Sequence, residues 1–286
     1  MSAFVPLAHG DAVAVSELAS AWATPPAALA ASALALVLFG RAFVRLRRRG
    51  RADHATWNRA LLFGAAVAVG TLALVSPLDA AGEEYLLSAH MFQHVLIGDV
   101  APALAVVALR GPLLFFLVPQ AILRGVARVA PLRAALGALI RPKVALGIWL
   151  AVMAAWHVPA AYDYTLTHPA VHDLEHGMFA VAGVLVWTQL VDPARRRELT
   201  PAGRLVFLAA LFAAGQALSN VLIFSFSPLY GAYAAPDERL FGLSALTDQR
   251  LAGLVMMVEQ TVALGICAVF LVREYQARRT VAARAE

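Results

Sequence analysis

Hydrophobic residues make up 61% of the 286 positions and charged residues only 14%, whereas an ordinary soluble domain is about half apolar. The single cysteine, Cys267, excludes a disulfide framework and a paired-cysteine metal motif. The net charge of +5 sits in arginine clusters at the ends of apolar stretches, which suits lipid headgroups and not nucleic acid.

The first segment, 1–26, carries no Lys or Arg and lacks the basic start of a cleavable signal, so it is expected to remain as an outer tail. His9 and Asp11 lie on it and read as solvated. Seven apolar stretches then follow that approach the roughly 20 residues a membrane helix needs: Ala27–Val44, Ala60–Leu78, Leu86–Leu109, Val144–Val158, Ala170–Val191, Leu205–Phe226 and Leu251–Val272. The fourth is short, but Lys143 can snorkel at its start and Trp156 can sit at the interface at its end. Leu113–Ile140 is interrupted by Pro119, Arg124, Arg128, Pro131 and Arg133. Arginine at the bilayer centre is costly, so this stretch is expected to be an amphipathic or re-entrant segment on one face of the membrane. The expectation is an all-α bundle with one membrane domain over 27–273 and a tail over 274–286.

Charge orients this bundle. Arginines crowd the first connection (Arg41 to Arg59), the third (Arg110 to Lys143), the fifth (Arg195 to Arg204) and the C-terminal tail. The connections between them hold only Arg239 and Arg250. With seven spans, 21 of the 23 basic residues face one side, which the positive-inside rule makes cytoplasmic. The N-terminus is then outside, the C-terminus inside, and the amphipathic segment between spans three and four cytoplasmic. Were 113–140 to cross, the later arginine-rich connections would face outward. The location that follows is a bacterial inner membrane.

Six of the eight histidines fall near outer helix ends in this topology: His90, His94, His157, His168, His172 and His176. Residues four apart share a helix face. His90–Met91–Phe92–Gln93–His94 therefore aligns two imidazoles and an amide, and His172–Asp173–Leu174–Glu175–His176 aligns two imidazoles and a carboxylate. The last span offers Met256–Met257–Val258–Glu259–Gln260. At ~1.5 Å per residue, His94, His176 and Met256 lie on the order of 10–15 Å along their helices, so they can converge.

Imidazole suits copper, zinc or iron, and a thioether selects Cu(I). With carboxylates orienting the imidazoles, His90, His94, His157, His172, His176 and Met256 read as a copper site. The alternative is hydrogen-bonded packing, with Met256 and Met257 as core filler. Among the remaining polar residues, Asp99 is expected to pair with Asn220 or Gln216. Asp248 is expected to cap the last helix beside Thr247, and Tyr162 and Tyr164 to be interfacial aromatics. The pattern at His172–His176 also fits the HxxEH arrangement of zinc hydrolases, with Glu175 as base. Histidines on neighbouring spans are likewise compatible with a b-type haem. A copper permease would need a polar path through the inner half, where only Gln189, Gln216 and Asn220 are candidates.

These residues resemble the caa-type cytochrome c oxidase assembly factors, the CtaG-type membrane proteins. The resemblance runs through Ser88–Ala89–His90–Met91–Phe92–Gln93–His94, Ala101–Pro102, Trp156–His157–Val158–Pro159, Tyr162, His168–Pro169, His172, His176 and Trp187. It continues through Asp248–Gln249–Arg250–Leu251–Ala252–Gly253 and Met256. It implies a seven-helix membrane protein, not an enzyme, that supplies Cu(I) as a chaperone during maturation of a respiratory haem-copper oxidase. The partners it implies are oxidase subunits and a periplasmic copper donor, alongside membrane lipids.

Overall fold

A computed structural model describes residues 13–235 and 239–283, so His9 and Asp11 lie outside the described residues. Among the described residues every regular element is helical. The chain forms α1 (Pro26–Arg48), α2 (Trp57–Val75), α3 (Leu78–Glu84), α4 (Leu87–Val95), a π-helical turn (Leu96–Val100) and α5 (Ala101–Ala108). Three short helices follow, α6 (Pro112–Leu117), α7 (Gln120–Arg128) and α8 (Ala130–Leu139). Then come α9 (Pro142–Trp156), α10 (Pro159–Thr165), α11 (Pro169–Val191), α12 (Pro201–Phe224), α13 (Gly231–Ala234) and α14 (Ala245–Ala283).

Proline opens α1, α6, α9, α10, α11 and α12. Its missing N–H costs nothing at a position that has no intrahelical acceptor, and its fixed φ is already helical. Thr200 adds a side-chain cap to α12 by accepting from the Gly203 N–H at 3.0 Å.

Six helices are long and apolar enough to cross a membrane: α1, α2, α4 through α5 as one, α11, α12 and α14. The fourth expected span, α9, has only 15 residues and meets α8 at a bend of 72°. The expected count of seven thus holds if this bent pair is one span. The chain is a multi-pass membrane protein by this measure, and the outer faces agree. Leu34, Val37, Val206, Val221, Phe224, Val262, Ile266 and Phe270 are all exposed, an apolar area that water would not tolerate but lipid covers.

The stretch 113–140 forms the three short helices α6 to α8 instead of one long one. Pro119 cannot continue α6, and Pro131 sits in the first turn of α8. α7 exposes both Ile122 and Leu123 and its arginines. The last helix runs unbroken to Ala283.

Polar contacts give the bundle two unlike ends. At one, Arg59 donates to the Arg110 carbonyl, Arg41 to the Leu117 carbonyl at 3.0 Å, and the Gly111 N–H to the Pro193 carbonyl at 2.8 Å. Buried Arg204 there ties the end of α11 (Asp192, 3.4 Å) to α14 (Glu274, 3.4 Å). At the opposite end α3, α10 and α13 cover the starts of α4, α11 and α14.

The third span is not a regular helix. The ring of Pro102 conflicts with the carbonyl four residues earlier, that of Gly98. The π turn over Leu96–Val100 widens the helix there. The Gly98 backbone in turn packs on α11, where a Cβ at Gly183 would land on the Gly98 oxygen. Two glycines therefore let α11 and the π turn touch backbone to backbone.

Candidate metal centre

At the end opposite the arginines, α4 and α11 lay their two histidine pairs against each other. His90, His94, His172 and His176 are all buried, and each offers a nitrogen lying within 4.8 Å of the others'. The four-residue spacing does this, since each pair lies on one stripe and each begins in the first turn of its helix.

What surrounds the four rings sets their protonation. Burial holds the Tyr233 phenol well above its ordinary range, so its hydroxyl keeps its proton. That proton is donated to the Gly82 carbonyl. Tyr233 Oη therefore accepts from His90 Nδ1–H at 2.8 Å, and neutral His90 presents a bare Nε2 lone pair. His172 Nδ1 lies 3.1 Å from the Glu83 carboxylate, a proximity that favours a proton on Nδ1 and a lone pair on Nε2. The two Nε2 atoms are 3.2 Å apart. Two imidazole lone pairs pointed at each other repel unless a cation lies between them. Two nitrogens at ~2.05 Å from one tetrahedral ion are roughly 3.3 Å apart, close to the spacing found.

His94 reinforces this. Both its ring nitrogens are buried without a hydrogen-bond partner, and the nearest carboxylate, Glu175, is 4.0 Å away. An unsatisfied buried imidazole is unfavourable by about 1–3 kcal/mol, and an ion at the cluster removes that cost. The residues present fit a bound metal.

Neighbouring elements fix the geometry. Asp248 of α14 accepts from the N–H of Leu87 at 2.7 Å and of Ser88 at 3.2 Å, holding the start of α4. This corrects its expected role at its own helix: Ser244 Oγ caps α14 by accepting from Thr247 N–H at 3.1 Å, which frees Asp248 for α4. Gly82 lets α3 approach, because a Cβ there would stand 2.9 Å from His90 Cα. Tyr162, expected at the interface, is instead fully buried, with its ring 5.3 Å from that of His90. Tyr164 is half exposed.

The other expected ligands lie beside the cluster. His157 and Met256 line an adjoining cavity of about 70 Å³, which His94 also lines. His168 is exposed and stacks on Tyr164 at 3.6 Å. Asp99 pairs with neither Asn220 nor Gln216: it accepts from Trp187 Nε1 and hydrogen-bonds Glu259. Asn220 and Gln216 turn to backbone carbonyls at 2.8 and 3.3 Å, and Gln216 also to Gln260. Glu83 and Tyr233 are supporting residues that the sequence reading misses. The signals for them are an acidic pair, Glu83–Glu84, directly before an apolar span, and Tyr230 and Tyr233 three residues apart in a short connection.

A family model described as cytochrome c oxidase caa3 assembly factor matches residues 37–277. The chain belongs to that family. The match takes in every residue of the caa3 assembly factor's four-histidine cluster, together with Glu83, Tyr233 and Asp248. No curated protein and no solved structure matches the chain.

Proposed function

We propose that this caa3 assembly factor binds Cu(I) at the four-histidine cluster and passes it to a cytochrome c oxidase subunit as the oxidase matures. The oxidase as partner follows from the family. The observation that carries metal binding is the convergence of four buried imidazoles, each with a nitrogen within 4.8 Å of the others', and with the Nε2 atoms of His90 and His172 3.2 Å apart. Copper as the cargo is supported by the imidazole donors and by the thioethers in the adjoining cavity, which favour Cu(I). His90 presents its Nε2 lone pair because its other nitrogen donates to the Tyr233 oxygen, the arrangement common to histidine metal ligands.

Orientation supports delivery on the outer side. The arginine end is the cytoplasmic one by the positive-inside rule, which gives an N-out, C-in bundle in a bacterial inner membrane. The short helices α6 and α7 then lie on the cytoplasmic face, with α8 leading from it into the fourth span, and the histidine end opens toward a periplasmic copper donor and the oxidase. Four convergent imidazoles fill the shell of a small ion and leave no open position for a zinc-bound water. Binding and transfer are therefore favoured over HxxEH hydrolysis. The facing rings of the two helices are also too close together to admit a haem macrocycle, with the His90–His172 and His94–His176 centroids both 5.2 Å apart.

The test is Cu(I) titration of the purified protein against a competing chelator. His94→Ala and His176→Ala should each bind at least about ten-fold more weakly and still fold. Variants that bind as the parent does would make the cluster structural packing. For the cellular role, deleting the gene should lower oxidase activity and oxidase copper, with partial recovery on added copper. Normal oxidase copper in a strain with no second oxidase would count against delivery.

A further inference from the structure

The cavity beside the cluster is walled by five elements: α4 with its π turn, α9, α11, α12 and α14. Three methionines, Met91, Met153 and Met256, and two histidines, His94 and His157, line it. The chain has only six methionines, so half of them meet at this one space. His157 Nδ1–H donates to the Met153 carbonyl at 2.8 Å. The neutral ring therefore carries its lone pair on Nε2, and that atom is buried without a partner. His94, unpartnered at both nitrogens, belongs to the cavity and to the cluster alike.

We propose that this cavity is a second site for a soft monovalent cation, in series with the four-histidine cluster and sharing His94 with it. The inference rests on the metal reading of the cluster. Three features favour a ligand over plain packing. Methionine used as core filler closes gaps, yet about 70 Å³ stays open here, where a single water needs only about 10–15 Å³. A buried ring nitrogen without a partner, as at His157, is unfavourable unless something binds it. Thioether with imidazole is a donor set that selects Cu(I) over harder divalent ions.

The far wall supplies the counter-charge. Asp99 and Glu259 hydrogen-bond each other there. Either carboxyl, when ionised, gives the cavity a negative charge facing a bound cation. Trp187 Nε1 donates to Asp99, which keeps the pair against the wall. Gln260 is fixed beside it by accepting from Gln216 at 3.2 Å and donating to Leu211 O at 3.3 Å.

Sharing His94 makes transfer a ligand exchange. The ion gives up nitrogens of His90, His172 and His176 as it gains His157 Nε2 and the sulfurs of Met153 and Met256. Its oxidation state does not change; neutral His94 has one lone pair and anchors one ion at a time, leaving three donors at the other station when both are filled.

The test uses full-length protein labelled with selenomethionine, in detergent, loaded with Cu(I) under anaerobic conditions. Metal per chain is counted, and copper-edge X-ray absorption reports selenium neighbours. Two ions per chain are expected, with selenium beside copper. Met153→Leu with Met256→Leu should return the count to one and remove the selenium signal. These swaps nearly conserve volume, so the fold tolerates them. His157→Ala gives an independent second variant with the same expected loss of one ion. One ion with only nitrogen neighbours overturns the second site and leaves the cluster standing. No bound ion overturns both. One ion with selenium beside it, or a selenium signal that survives the double variant, also overturns two sites in series.

Discussion

Tyr233 and Glu83 decide what the histidines can do. Neither is among the four converging histidines, but Tyr233 holds a proton on His90 Nδ1 and so aims its Nε2 lone pair, and the Glu83 carboxylate faces His172 Nδ1 at 3.1 Å. Tyr233→Phe keeps the ring and deletes the acceptor of His90 Nδ1–H, which lets the proton move to Nε2. Glu83→Gln weakens the acceptor facing His172 Nδ1. Loss of such a supporting group typically lowers metal affinity 10–100-fold, and about ten-fold is expected for each. Chelator competition measures it, with the metal-free melting temperature as the control. A Tyr233→Phe protein that keeps parental Cu(I) affinity would show that His90 does not bind through Nε2.

The helices position the site by contacts their own sequences do not display. Asp248 reaches across from α14 to the first N–H groups of α4. Hydrogen bonds to a charged group are worth roughly 1.5–3 kcal/mol each, so Asp248→Ala should destabilise the bundle by about 2 kcal/mol. It should also weaken Cu(I) binding, because α4 carries His90 and His94. Asp248→Asn, which keeps one oxygen, should fall between the two. Gly183 acts in the same way on the other side. Gly183→Ala drives a methyl group into the Gly98 carbonyl, and overpacking of this kind costs about 1–3 kcal/mol. Gly265→Ala meets nothing within 4 Å and should leave stability unchanged or slightly raised. Thermal unfolding in detergent separates them, and equal melting temperatures for the two alanine variants would contradict the close approach of α11 to the π turn.

Taken whole, the molecule is polar at its two ends and apolar around its girth, with arginines at one end and histidines at the other. In a membrane this gives the bundle two chemically distinct faces, one rich in arginine and one rich in histidine. Reporter fusions test the arrangement. Those at Ala52 and Arg196 should report the cytoplasm and one at Ala235 the periplasm. An outward signal at Arg196 would reverse the assignment of the ends and place the cluster on the cytoplasmic side.

Much of this architecture is legible along the chain. Hydropathy and arginine placement act residue by residue, so the apolar stretches and their charge bias need no tertiary contact to be read. The two histidine stripes are legible for a similar reason, since i, i+4 spacing puts both rings on one face whatever the helix packs against. The shortness of Val144–Val158 and the arginines of 113–140 likewise mark the one place where a simple span fails. Other features are not legible. Tyr162 in its segment reads as an interfacial ring, and only the docking of α10 and α13 onto α4 buries it beside His90. Asp248 stands one turn from Ser244, so a local cap is the natural reading until α4 is placed next to it. Asp99 finds Trp187 and Glu259 in place of Asn220 or Gln216, and it sits in the π turn, where a regular 3.6-residue period no longer gives the facing of its side chain. Which nitrogen of His90 or His172 is bare depends on Tyr233 and Glu83, distant in sequence or on another element. Such pairings are set by how far each helix is rotated and how closely its backbone approaches the next. Those quantities follow from packing, as at Gly98 and Gly183, and no single stretch of sequence contains them.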